Sequence, residues 1–467
     1  MSVVDRVWDE EIVPALTEFI RIPNLSPAFD PEWAAHGHMA EAADLVRRWC
    51  EGRGIAGATV DLMELPGLTP VLVIDVPASG GGPADDTVVL YGHLDKQPEM
   101  TGWREGLGPW TPVLEGDRLY GRGGADDGYA AFAALTAIEA VRDAGRPHAR
   151  CVVLIEGSEE SGSTHLPPYI DALGDRIGDP SLVVCLDSSC PTWDRLWLVT
   201  SLRGMVIQNL TVEVLTEGVH SGLAGGIVPD SFRLLRSLLA RIEDDETGEL
   251  LVPELRVDVP GHRLAEVEAT AAELGASIAD WPFVPGAGPA GDDPAAWLLS
   301  KSWKASLAVT GVDGMPPVLG GGNVIRPFTR VRLAFRVPPT ADAAAAARSV
   351  EAILTADPPH GARVTVDGLA GEDGWNAQPM PPWLAEAVDR ASVEAYGQPA
   401  RSIGEGGTIP FIGMLASRFP DAQFVITGVL GPGSNAHGPN EFLDVPTGKR
   451  VTQAVASILA AHAARSR

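Results

Sequence analysis

Four short apolar runs constrain this chain more than anything else in it: TVVLYG (87–92), CVVLI (151–155), LVVCL (182–186) and QFVIT (423–427). Runs of this length and character read as strands buried on both faces, and such strands belong to parallel sheets. Between the first two lies GYAAFAALTAIEAVRDAG (128–145), an alanine-rich amphipathic stretch that stops at a glycine, as a crossover helix does. That is a βαβ unit. The pattern changes near residue 205, where NLTVEVLT and TRVRLAFRV alternate apolar with polar, as antiparallel strands covered on one face do. With the helix-like SFRLLRSLLARIE and ADAAAAARSVEAIL and the strand ARVTVDG, they predict an inserted α+β domain before WLAEAVDRASVEAYG resumes the α/β pattern. The expected division is 1–204 and 381–467 for an α/β domain and 205–380 for the insertion. Residues 244–320, rich in Gly, Pro and Trp, give no readable pattern.

Ligands of open α/β sheets bind beyond the carboxyl ends of the strands. At those ends stand His93 and Asp95, Glu159 and Glu160, Asp187, and, in the loop after the last run, His437. Asp126 and Asp127 open the expected crossover helix behind a glycine-rich approach, GRGGADDG. Taken singly, each reads equally as a solvated charge, a helix-start acid or a turn former. Four successive strand ends bearing such groups are not explained that way. If the fold gathers them, two carboxylates about 4 Å apart repel by about 4 kcal/mol at an effective dielectric of about 20. Cations remove that penalty, and imidazole with carboxylate but no thiolate suits Zn, Mn or Co.

Composition excludes other classes. With 62 acidic against 35 basic residues the net charge is −27, which repels nucleic acid and anionic lipid surfaces. No apolar run reaches membrane-spanning length and the N-terminus is acidic, so a soluble cytoplasmic protein is expected. Cys50, Cys151, Cys185 and Cys190 form no zinc-ribbon or disulfide framework and read as reduced core thiols. His36 and His38 form a His-x-His in a polar loop without evident partners.

The segments YGHLD, LYGRGGADD, EGSEESGS, HSGLAGG, EGGTIP and NAHGPNE occur in the order and with the character seen in the M20 metallopeptidases, and the chain resembles their carnosinase-like dipeptidase branch. The resemblance implies a zinc-peptidase-like mixed sheet flanked by helices, with a ferredoxin-like insertion serving as lid and dimerisation domain. It further implies two divalent ions per subunit, zinc foremost, with Mn or Co as alternatives. His93 and Asp187 would hold one, Glu160 and His437 the other, and Asp126 would bridge them. Asp95 would orient His93, since a ligating imidazole needs its second nitrogen fixed. Asp127 is left with a supporting or helix-capping role.

Glu159 matches the family's general base, and His220 the lid histidine that supports the oxyanion in a partner subunit's site. Arg336 matches the arginine that grips the substrate's terminal carboxylate, with Gly406, Gly407 and Thr408 adding amides and a hydroxyl. Asn323 is a candidate for contact with the reacting carbonyl, and Arg326 reads as structural. One departure stands out: the lysine usual after the paired aspartates is absent, Gly128 and Tyr129 following Asp127 instead. The reaction implied is cleavage of an amide bond in a small substrate with a free carboxylate, by a dipeptidase or carboxypeptidase. An N-acyl-amino-acid amidohydrolase is the rival within the class, and a non-catalytic ligand-binding relative the rival outside it.

Overall fold

The computed structural model describes residues 2–368, 371–407 and 409–466. The chain divides into two compact units, one of residues 1–199, 377–402 and 410–467, the other of residues 200–376 and 403–409. Strands of the two principal sheets are β1 (Thr59–Met63), β2 (Val71–Val76), β3 (Thr87–His93), β4 (Arg150–Glu156), β5 (Pro180–Cys185), β6 (Gly204–Glu213), β7 (Ser306–Asp313), β8 (Phe328–Val337), β9 (Arg363–Asp367) and β10 (Gln423–Ile426). The helices that matter here are α1 (Ala130–Asp143), α2 (Ser231–Leu239), α3 (Ala343–Thr355), α4 (Pro382–Tyr396) and α5 (Val445–Ala464).

In the first unit the sheet runs β1-β2-β4-β3-β5-β10. The last four strands are parallel, and β1 and β2 join antiparallel at one edge. All seven residues of β3 are buried, as expected of a strand covered on both sides. Val88, Leu90, Val153, Ile155, Leu182 and Val184 pack into one core with α1, α4 and α5. Alternate residues such as Val89, Tyr91, Val152 and Val183 are buried too, and Tyr91 stacks on Phe411. The chain leaves β3 for β4 on one side, then passes back to β5 on the other, so a topological switch lies at the carboxyl end of β3.

The second unit has the order β7-β8-β6-β9, antiparallel throughout. With α2 between β6 and β7 and α3 between β8 and β9, this is the ferredoxin-like βαββαβ arrangement. β6 and β8 alternate as their sequences predict, and Leu210, Leu333 and Phe335 pack with Leu234 and Leu238 of α2 and Val350 of α3. The unreadable stretch contains two helices, Gly261–Leu274 and Pro294–Ser302, and the edge strand β7. None of the helices is long and apolar enough to cross a membrane, among the described residues.

Candidate metal centre

His93 is the last residue of β3, and its neighbours in the cluster come from the ends of β4 and β5 and from two loops. Its Nε2 is buried, without a hydrogen-bond partner among the described residues, and faces Asp126 Oδ1 at 3.3 Å, Asp187 Oδ2 at 3.7 Å and Glu159 Oε2 at 4.0 Å. From the loop before α5, His437 places its Nε2 3.0 Å from Asp126 Oδ2 and 3.3 Å from Glu160 Oε2. The two oxygens of Asp126 therefore address two different imidazoles. Ligand atoms at about 2.0–2.1 Å from a tetrahedral ion stand about 3.3–3.4 Å apart, so the 3.3 Å separations of His93 from Asp126 and of His437 from Glu160 fit donors that share an ion. Among the described residues, two groups bring their ligand atoms close enough together to hold an ion, His93 with Glu159 and Asp187, and His93 with Asp126 and Glu160.

Around the donors the backbone is held in place. Asp95 accepts the N–H groups of Glu159 at 3.1 Å and Glu160 at 3.0 Å, and its carboxylate lies 3.4 Å from Nδ1 of His93. That nitrogen also meets the Asp95 carbonyl oxygen at 3.1 Å, which directs Nε2 toward the cluster. Gln97, two residues on, donates its amide to Glu160 Oε2 at 2.7 Å. Only its place in the loop after His93 could have pointed to Gln97 beforehand.

Asp126 and Asp127 do not open the helix as expected. They are joined by a cis peptide and have non-helical backbone angles, and α1 begins at Ala130. Among the described residues that helix has no side-chain cap hydrogen bond. Asp127 Oδ2 accepts the N–H of His93 at 3.2 Å. The missing lysine has a steric explanation: a Cβ on Gly128 would lie 2.3 Å from Phe19 Cε1 and 2.5 Å from the Gly123 carbonyl oxygen. Tyr129 is buried, and its hydroxyl donates to the carbonyl of Leu186, directly before Asp187.

Electrostatics are dominated by negative charge out of water. Burial, reinforced by Asp187, pushes Glu159 and Asp127 well above the usual carboxylate range, and burial with Asp126 raises Glu160. Asp187 is pushed up to about 7, mainly by burial. Burial opposes the charge on Asp126 as well, yet the imidazoles of His437 and His93 beside its two oxygens hold it well below its ordinary value. Burial pulls His437 down, but Asp126 and Glu160 more than compensate and lift it to about 11. Such a cluster attracts cations strongly, and a bound divalent ion would hold the carboxylates ionised.

His220, Asn323, Arg336, Gly406 and Gly407 lie in the second unit. His220 is exposed and pairs with Val324 across a two-residue bridge, while Ser221 donates its N–H to the carbonyl of Asn323, so His220 and Asn323 are neighbours. Arg336 lies on β8 between Met205 and Ser306. Gly406 accepts a hydrogen bond from Arg203 Nε at 3.3 Å, Gly407 is exposed, and Thr408 lies outside the described residues. His36 pairs with Asp30 at 2.8 Å, and neither it nor His38 belongs to a metal-binding group among the described residues. Cys185 and Cys190 are free, buried and likewise outside those groups.

The sequence profile described as peptidase family M20/M25/M40 matches residues 89–461. A cysteinylglycine-S-conjugate dipeptidase of Corynebacterium striatum is 29% identical over 391 residues, 80% of each chain. A Cys-Gly metallodipeptidase of Schizosaccharomyces pombe is 25% identical over 95% of this chain and 94% of its own. The solved structure of the di-peptidase Dug1p of Saccharomyces cerevisiae superposes with a TM-score of 0.75 at 21% identity, covering 100% of this chain and 98% of that one.

Proposed function

The chain belongs to the M20/M25/M40 peptidase family, and from that premise we propose that it is a di-metal dipeptidase or carboxypeptidase, cleaving the peptide bond of a small substrate with a free carboxylate. The observation that carries the reading is the Asp126 carboxylate, with one oxygen 3.3 Å from His93 and the other 3.0 Å from His437. We assign His93 and Asp187 to one ion, Glu160 and His437 to the other, and Asp126 to both. Zinc is the proposed metal, since nitrogen and oxygen donors at tetrahedral separations suit it. When bound, such ions polarise a carbonyl, acidify water and offset developing negative charge.

The chain's own groups supply the rest. Glu159, at the rim of the cluster, takes the proton of the attacking water and passes it to the leaving amine. Asp95 keeps the Glu159–Glu160 turn and the His93 ring in register. From their motifs, His220 is assigned to the oxyanion and Arg336 to the substrate carboxylate, assisted by Gly406, Gly407 and Thr408, with Asn323 toward the carbonyl. Relatives named for cysteinylglycine dipeptides favour a dipeptide as substrate.

We further propose a homodimer through the second unit. There β7 is an edge strand with Val309 and Val312 exposed, and Leu223, Ile227, Val318 and Leu319 are exposed in the same unit. A cytoplasmic location completes the proposal, supported by four free, buried thiols.

The test is a chelated chain resupplied with Zn, Mn or Co and offered dipeptides, C-terminally amidated dipeptides and N-acyl amino acids. Metal-dependent cleavage of free dipeptides is expected to exceed the other two. Unchanged hydrolysis after chelation, or none with any metal, refutes the reading.

A further inference from the structure

Behind the cluster lies a buried ion pair to which the proposed reaction gives no part. Arg122 and Glu441 are 1% and 0% exposed, and Arg122 Nη1 donates to Glu441 Oε2. What they touch besides each other is specific. Arg122 Nη2 donates to the carbonyls of Gly438 at 3.0 Å and Pro98 at 3.2 Å. Glu441 Oε1 accepts the N–H of Gly123 at 2.8 Å, and its backbone carbonyl accepts that of Gly121 at 3.0 Å.

Three loops meet at this pair. Gly438 follows His437, Pro98 follows Gln97, and Gly121 and Gly123 lead to Asp126. Those loops supply one half of the cluster: His437 directly, Asp126 directly, and Glu160 through the 2.7 Å hydrogen bond from Gln97. Asp187 follows β5 and receives nothing from the pair. His437 has the most to gain. Its backbone is left-handed, φ 64°, in a loop where Asn435 and Asn440 share that conformation, and its side chain is 55% exposed. A non-glycine residue holds such a conformation only where its surroundings over-determine it. A guanidinium meets three acceptors at once here, which a lysine ammonium on the same stem does not reproduce.

We infer that Arg122 and Glu441 are positioning residues that set His437, Asp126 and Glu160, so that the ion assigned to His437 and Glu160 depends on them most and the ion assigned to His93 and Asp187 only through the shared Asp126. The inference rests on the two-ion reading, and its test separates the two. Full-length wild type, R122K and E441Q are stripped of metal and titrated with Zn²⁺ against a chromophoric chelator, with Co²⁺ absorption spectra recorded in parallel. Folding is followed by circular dichroism and thermal melting.

Wild type should take two ions. The folded variants should bind one ion about 10- to 100-fold more weakly, the range seen when groups orienting metal ligands are removed, and the other distinctly less weakened because only the shared Asp126 reaches it. The turnover number should fall more than KM rises. Where a single substitution strands a buried charge and the chain does not fold, R122M/E441Q removes charge from both sides and is read the same way. Folded variants that keep both ions, or weaken both equally, refute the inference while two ions in wild type leave the function standing. Unfolding of all three variants makes the pair a folding determinant and refutes it too. A wild type that binds no ion brings down the two-ion reading and the inference together.

Discussion

Asp95 binds the backbone N–H of Glu160 at 3.0 Å, tying the loop after β3 to the turn after β4. A carboxylate on one strand end thus fixes the donors of the next, while its own backbone carbonyl steers His93. Precision at this site comes from loops held by their neighbours as much as from the strands that carry them.

Replacing Glu159 with Gln removes the proton acceptor and keeps the shape. Turnover should fall by about 10²–10⁴ with metal content unchanged, the usual contribution of a positioned general base. Steady-state kinetics beside metal analysis checks this, and retained turnover excludes the role.

Arg336→Ala should weaken substrates with a free carboxylate and spare amidated ones. A lost charge-assisted contact of about 1.5–3 kcal/mol corresponds to about a 10- to 100-fold fall in kcat/KM. Equal losses on both substrate types would remove the anchoring role.

Glu156 accepts hydrogen bonds from Tyr91, Ser158 and Ser163, yet burial, aided by Asp95, raises it from 4.5 to about 7. A raised carboxyl binds its proton more tightly in the folded state, so its contribution is complete below pH 4.5 and is lost as pH rises toward 7. Relative to Glu156→Gln, wild type should lose at most about 3 kcal/mol of stability across that interval. Urea unfolding of both proteins from pH 4 to pH 8 measures it; parallel curves would show that Glu156 does not titrate there.

Restoring the family lysine with Gly128→Lys should destabilise the protein by about 1–3 kcal/mol or more, because the new Cβ collides with Phe19 and with the Gly123 carbonyl. A fall in Tm with metal content retained is the expected result. An unchanged Tm would mean that the Phe19 ring and the Gly123 backbone yield without cost.

The parallel sheet was legible because its strands are apolar on both faces, and the insertion because β6 and β8 alternate. β7 was not: it is an exposed edge with two valines facing solvent, so it carries neither signal. Nor did anything in its composition mark residues 403–409 as part of the second unit. At the cluster, His93, Asp95, Glu159, Glu160, Asp187 and His437 stood out as ligand-type side chains after strand ends, and Asp126 and Asp127 at the expected helix start, while only the family resemblance picked out five of them as ligands. The conformation of Asp126 and Asp127 did not stand out, since acids are also common in the first turn of a helix. Gln97, Arg122 and Glu441 escaped because their parts depend on contacts between segments up to 319 positions apart.

His93 is fully enclosed, whereas about half of the His437 side chain meets solvent. On the proposed two-ion reading, that asymmetry predicts different lifetimes for the two ions. The one beside His437 should exchange first with a dilute chelator or a competing cation, so a preparation washed gently enough would stall as a half-loaded species, distinct from both the empty protein and the full one.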